Sequence, residues 1–331
     1  MGGTTFWGYG GWLTLPAGDS TMRRALFLVL FLLVAGLGPA QVPATDQVFE
    51  RARLWEELLA RMEAAGIDRY ADLPYAAIEG VDAERLSLDV YTTPDMDNAP
   101  VVLFVHGGSW QRGSKMAVLR KPLALVPAGY ITVSTNYRFR PHVSVAEQAG
   151  DVARAVAWIH GHIGRYGGDP ERIVLMGHSA GAHLVAVVGT NGGFLEAEGV
   201  PMSVLKGVVP LDTGPYNVPL QLERLPGGST YGDLMRFVFG DDPGQWEAVS
   251  PIDHLRKSAA IPAFLVYHAD GRRDVDYQAR PFVETLREAG FDAELVNGVG
   301  KTHGTLNADL GASGEAITEK LLSFLERVTS R

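Results

Sequence analysis

The 331-residue chain contains no cysteine. That absence excludes a disulfide framework, a thiolate zinc or iron–sulfur site, a cysteine nucleophile and a lipidated N-terminal cysteine. It is neutral on compartment, because an exported protein can keep or lack cysteine. Positive charge is also short. The 29 Lys+Arg stand against 38 Asp+Glu, a formal charge of -9, which disfavours a nucleic-acid binder, since such proteins need a basic face. No G-x-G-x-x-G follows an apolar run, so a dinucleotide site is unsupported. Gly300-Lys301-Thr302 imitates the end of a phosphate loop, but the position where that pattern needs its first glycine is Leu295. What is present is ordinary for a globular chain: 46% apolar and 20% charged residues.

One segment near the N-terminus stands apart. Met22-Arg23-Arg24 precedes an uncharged apolar run, Ala25 to Leu37, and small residues and prolines follow through Ala44. A basic start, a short apolar stretch and a small-residue exit predict a signal peptide over 22–44, cut after Ala40 or Ala44. The run is short for a membrane span of about 20 residues, so a retained anchor is the alternative reading. The expected location is secreted or periplasmic. Residues 1–21 precede this second plausible start and are set aside as a non-native or mis-assigned leader. The segment 45–331 is expected to form one catalytic domain.

Periodicity outlines that domain. Val48, Leu54, Trp55, Leu58, Leu59 and Met62 recur at helical spacing between Asp46 and Ala65. Strands are expected at Leu86–Tyr91, Val101–Val105, Ile131–Ser134, Ile173–Met176, Val204–Pro210, Ala263–Ala269 and Ala293–Val296. Helices are expected at Asp151–His160, Ala180–Val188, Glu284–Ala289 and Ile317–Val328. Fully apolar strands alternating with helices predict an α/β fold with a mostly parallel, twisted central sheet and helices on both faces. The least regular stretch, about 212–250, is rich in Pro and Gly and reads as a small cap insertion.

The chemistry falls at strand ends, where open α/β sheets place their sites. Gly177-His178-Ser179-Ala180-Gly181 is a G-x-S-x-G between an apolar strand and a helix. A serine on so tight a turn needs small neighbours, and the turn lifts its hydroxyl above the sheet as a nucleophile. Upstream, His106-Gly107-Gly108-Ser109-Trp110 also follows a strand. Backbone N–H groups of Gly107, Gly108 and Ala180 are the expected donors to an oxyanion. Among nine histidines, His303 lies in a loop between a late strand and the C-terminal helix, where a base should follow a Ser–acid–His order. The acid should precede His303 and follow a strand. Asp270 is the first residue out of Ala263–Ala269 and is the expected acid, with Asp274 the live alternative and Asp276 in the same loop. His178 and His183 sit at helical spacing without a carboxylate-rich partner motif, so no metal and no cofactor are expected.

Taken together, these motifs resemble an α/β-hydrolase of the esterase/lipase group that carries an HGG oxyanion motif. The further carriers are Asn136-Tyr137-Arg138, Gly167-Gly168-Asp169-Pro170-Glu171-Arg172-Ile173 and Ser179-Ala180-Gly181-Ala182-His183. The resemblance spans about Ala76 to Val328. HGG followed by x-Trp is similar to the branch of feruloyl and acetyl esterases and arylformamidases. It implies an α/β-hydrolase fold and hydrolysis of a small-molecule ester through an acyl-enzyme. The family's nucleophile, base and acid fall on Ser179, His303 and Asp270. Gly271-Arg272-Arg273 departs from the family's spacing in the acid loop. An amide-cleaving relative and a non-catalytic binding module are the competing expectations.

Overall fold

A computed structural model describes residues 4–8, 11–15, 45–255 and 260–330. The expected signal peptide, 22–44, lies outside the described residues. Among the described residues no helix is long and apolar enough to cross a membrane. The chain divides into two compact units, Met1–Arg61 and Met62–Arg331. The first contains an antiparallel pairing of Thr4–Gly8 with Gly11–Leu15 and most of helix α1, Thr45–Ala64.

The second unit is built on an eight-stranded sheet. Its strands are β1 (Asp68–Pro74), β2 (Ser87–Thr92), β3 (Ala99–Val105), β4 (Ile131–Thr135), β5 (Gly168–His178), β6 (Leu205–Leu211), β7 (Ala263–Ala269) and β8 (Ala293–Gly298). Their order across the sheet is β8-β7-β6-β5-β3-β4-β2-β1. From β8 to β4 every pairing is parallel, and β2 and β1 close the far edge antiparallel. Val101 to Val105 is wholly buried because helices cover both faces of a parallel sheet. β1 was not expected from the sequence. It is an edge strand with mostly exposed side chains, so it carries no apolar run to betray it.

Two helices fix the site. α3 (Val145–His162, after the short α2, Lys121–Leu125) begins earlier than periodicity alone suggests, because Ser144 and Glu147 form a reciprocal cap. Its Val152, Ala155, Val156 and Ile159 are buried, as the sequence predicts. α4 (Ala180–Thr190) is buried along its whole length. Close approach to β6 requires a glycine at one point. A Cβ on Gly189 would lie 2.6 Å from the Val208 side chain on β6.

The stretch after β6 is more regular than its composition suggests. It folds into three short helices, α5 (Val218–Arg224), α6 (Thr230–Phe239) and α7 (Pro243–Ala248). Asn217, Ser229 and Asp242 cap them through side-chain oxygens. The Phe239 ring of α6 meets Trp110 edge-on at 5.3 Å, so this segment lies against the HGGSW loop. α8 (Ala279–Glu288), α9 (His303–Asp309) and α10 (Ala316–Thr329) follow toward the C-terminus.

Candidate active site

Ser179 stands between β5 and α4, at the helix N-cap, with φ +56° and ψ -119°, a conformation that L-residues rarely hold. The flanking glycines make the turn possible. A side chain on Gly177 would strike the Gly181 backbone, and one on Gly181 would strike the carbonyls of Val105 and His106. The Ser179 N–H donates to the Leu211 carbonyl at 3.0 Å, binding the turn to the last residue of β6.

Gly107 lies directly against this turn. A Cβ there would stand 2.9 Å from the Ser179 Cβ and 2.9 Å from the His178 carbonyl oxygen. Gly108 has φ +134°, and its missing side chain makes room for the Arg112 backbone. His106 is fully buried, which pushes its imidazole down to about 4. Its Nδ1–H donates to the Gly107 carbonyl at 2.8 Å, and its ring stacks on Tyr137 at 4.4 Å. The loop that presents Gly107 is thus held by a neutral histidine. Trp110 and Tyr216 are also buried.

His303 is the first residue of α9 rather than a loop residue, and Thr302 caps that helix through its hydroxyl. The imidazole is half exposed. Its Nδ1 is 2.6 Å from Oδ2 of Asp212, so Nδ1–H donates to the carboxylate and Nε2 is left as the basic nitrogen. Asp212 is the first residue beyond β6 and only 1% exposed. Its other oxygen accepts the Ala269 N–H at 2.8 Å and faces Arg272 Nη1 at 3.1 Å. Burial would raise the acid, but the His303 hydrogen bond, the Arg272 charge and the Ala269 N–H prevail and bring it down to about 2.

The expectation for Asp270 is corrected here. Its carboxylate accepts from Asn297 Nδ2 at 3.2 Å and the Gly300 N–H at 3.0 Å, and the partner of His303 Nδ1 is Asp212. It braces the loop that leads to His303 and does not touch the imidazole. Asp274, the alternative, is forked onto Arg272. Asp276 pairs with Arg280. The reason is the strand order. β6 lies beside β5, so its end is one strand from Ser179, whereas the end of β7 is two strands away. Asp212 satisfies both sequence conditions, following a strand and preceding His303, but it stands at the head of the irregular stretch 212–250, where no motif marks it.

Four further histidines have structural partners. Burial and the neighbouring His303 ring push His178 down to about 3. Its Nε2–H donates to the His303 carbonyl at 2.9 Å, and the two rings lie 4.6 Å apart. His183 is buried and donates to the Val249 carbonyl at 2.8 Å. His160 meets Glu171, and His162 bonds to the Trp158 carbonyl.

A strained serine at a strand-to-helix turn, a glycine loop against it and a histidine–carboxylate pair at adjoining strand ends define an α/β-hydrolase. Residues 88–285 match the BD-FAE family model, and the chain belongs to that family. Esterase LipQ of Mycobacterium tuberculosis is 29% identical over 80% of this chain and 64% of its own length. The probable carboxylic ester hydrolase LipM of the same organism is 34% identical over 61% of this chain and 48% of its own. The chain therefore spans about half to two thirds of these curated relatives. Among solved structures, esterase 2 of Thermogutta terrifontis is 25% identical with a TM-score of 0.60, covering 80% of this chain and 92% of its own. Esterase B of Lactobacillus rhamnosis has the same fold at 16% identity, with a TM-score of 0.65, over 86% of this chain and 95% of its own.

Proposed function

We propose that the protein is a serine carboxylesterase that hydrolyses small carboxylic esters, with Ser179 as nucleophile, His303 as base and Asp212 as orienting acid. The observation that carries the reading is the 2.6 Å bond from His303 to a buried carboxylate one residue beyond Leu211, whose carbonyl binds the Ser179 N–H. The esterase names of the relatives support the same reaction class.

In this mechanism His303 Nε2 takes the Ser179 proton as the alkoxide attacks the ester carbonyl. The N–H groups of Gly107, Gly108 and Ala180 hold the developing oxyanion. His303 then protonates the leaving alcohol, and water activated by the same nitrogen hydrolyses the acyl-enzyme. Asp212, ionised down to about pH 2, keeps Nδ1 protonated and the ring aligned throughout. The helices of 218–248 cover the acyl or alcohol side of the substrate. The Met22–Ala44 pattern supports export to the periplasm or the medium.

The test is hydrolysis of p-nitrophenyl acetate, butyrate and octanoate by the wild type beside Ser179→Ala, together with a matched formanilide. Turnover on the esters that vanishes in Ser179→Ala is the expected result. Preference for the formanilide would replace this reading with amide hydrolysis. An active Ser179→Ala would remove the nucleophile. Thermogutta terrifontis esterase 2 has been captured phosphonylated by sarin, and a fluorophosphonate probe should label this chain at Ser179 alone.

A further inference from the structure

The loop after β7 was expected to supply the acid and instead supplies a cation. Arg272 is mostly buried, with its side chain 18% exposed. Its Nη1 faces Asp212 Oδ1 at 3.1 Å, and its Nε and Nη2 fork onto Asp274, the second contact at 2.7 Å. The Tyr231 hydroxyl of α6 lies in the electrostatic reach of the same guanidinium. Gly214 marks how closely these groups converge. A Cβ there would stand 2.8 Å from Asp274 Oδ2, 2.9 Å from Arg272 Nη2 and 3.2 Å from the Tyr231 hydroxyl. One side chain thus touches the carboxylate that orients the base, a second carboxylate in its own loop, and the helix that packs against the HGGSW loop.

We propose that Arg272 is a positioning residue for the ester hydrolysis, acting through Asp212: it holds that carboxylate ionised and aimed at His303, and it ties α6 to the same point. This rests on the triad reading above. Without Arg272, Asp212 and Asp274 would be two carboxylates with no cation between them, and a buried pair of that kind retains a proton. Asp212 would then lose its charge at a higher pH and release His303. The remaining groups facing the cluster are Tyr277 from the same loop, Tyr231 from α6, Tyr216 from the segment after β6, and His178 from the elbow. Burial pushes the Tyr231 hydroxyl up to about 12. It also raises Tyr216 and Tyr277 above their ordinary value and pushes His178 down to about 3. None of these four gains or loses charge between pH 4 and 7.

The experiment is the pH profile of kcat and KM, from pH 4 to 9 on p-nitrophenyl butyrate, for the wild type, Arg272→Gln, Arg272→Lys, Asp274→Asn and Asp212→Asn. Arg272→Gln should lower kcat at pH 6 by more than about tenfold and add an acidic fall in kcat inside the measured range, where the wild-type Asp212, held down to about 2, contributes none. Arg272→Lys, which keeps the charge and loses the fork, should remove the added fall but restore only part of kcat. Asp274→Asn, which removes the second carboxylate and leaves Arg272 on Asp212, should show no added fall. Superimposable profiles for wild type and Arg272→Gln, or a change confined to KM, would overturn the proposal. If Arg272→Gln fails to fold by circular dichroism, a wild-type kcat in Arg272→Lys overturns it alone. Asp212→Asn separates the two readings. Full activity there defeats the triad itself, whereas an inactive Asp212→Asn beside a silent Arg272→Gln defeats only this inference.

Discussion

His303 and Asp212 are 91 positions apart in the chain and 2.6 Å apart in space, joined Nδ1 to Oδ2 at the mouth of the sheet. The bond brings the end of β6 and the start of α9 together over the serine turn, and it sorts the acidic residues of the molecule by role.

Asp212→Asn should reduce kcat by about 10,000-fold, since the amide supports the wrong imidazole tautomer while preserving shape. Asp270→Asn should cost less than about tenfold, because the Asp270 carboxylate is engaged by Asn297 and the Gly300 N–H, not by His303. Steady-state kinetics of the two variants on one ester decide the matter. The reverse order would return the acid to the β7 loop.

Gly107→Ala should lose more than about 100-fold in kcat with the fold intact, because the new methyl would stand 2.9 Å from the Ser179 Cβ and displace an oxyanion donor. Circular dichroism with kinetics checks this. Loss of structure, or unchanged kcat, would contradict it.

The Asn136-Tyr137-Arg138 motif has a structural task. Asp151 on α3 is wholly buried and accepts from the Arg138 side chain, the Arg138 N–H and Arg154. Arg138→Leu strips the main counter-charge from a buried carboxylate and should cost about 3–5 kcal/mol. Urea denaturation measures it. A loss under 1 kcal/mol would show that Arg154 alone suffices.

Lys121 of α2 is wholly buried, with its ammonium bonded to the Asn307 carbonyl and side chain at 2.9 and 2.8 Å and set over the Phe104 ring. It holds α9, the helix that begins with His303. Burial pushes it down to about 7 from 10.5. Between those values the unfolded chain binds a proton that the folded chain does not, so this group makes stability rise with pH from about 7 toward 10.5. Lys121→Met should flatten that rise and, by leaving Asn307 acceptors unpaired, lower stability at pH 7 by about 1–3 kcal/mol. Melting temperatures at pH 6, 7, 8 and 9 test both statements.

The sequence disclosed whatever depended on local pattern. Ser179 was legible because its turn demands glycines at fixed offsets. His106 to Trp110 was legible because it follows five consecutive apolar residues. Most strands of the parallel core were legible because burial on both faces leaves no alternation. Asp212 was not, since choosing it over Asp270 requires the lateral order of β5, β6 and β7, a non-local fact that each strand's composition leaves open. The helices of 218–248 escaped for the opposite reason. They are one to three turns long and depend on caps by Asn217, Ser229 and Asp242 more than on periodicity.

Asp212 stands at the root of the helical excursion that runs to Ser250, and its N–H and carboxylate are both fastened to β7, through Tyr267 and Ala269. The excursion can therefore be exchanged as a module without disturbing the proton relay, provided the splice falls after Gly214, whose missing side chain leaves room for Arg272 and Asp274, and an arginine still meets Asp212 from the neighbouring loop. A chimera cut before Asp212 would carry the relay's anchor away with the transplanted part.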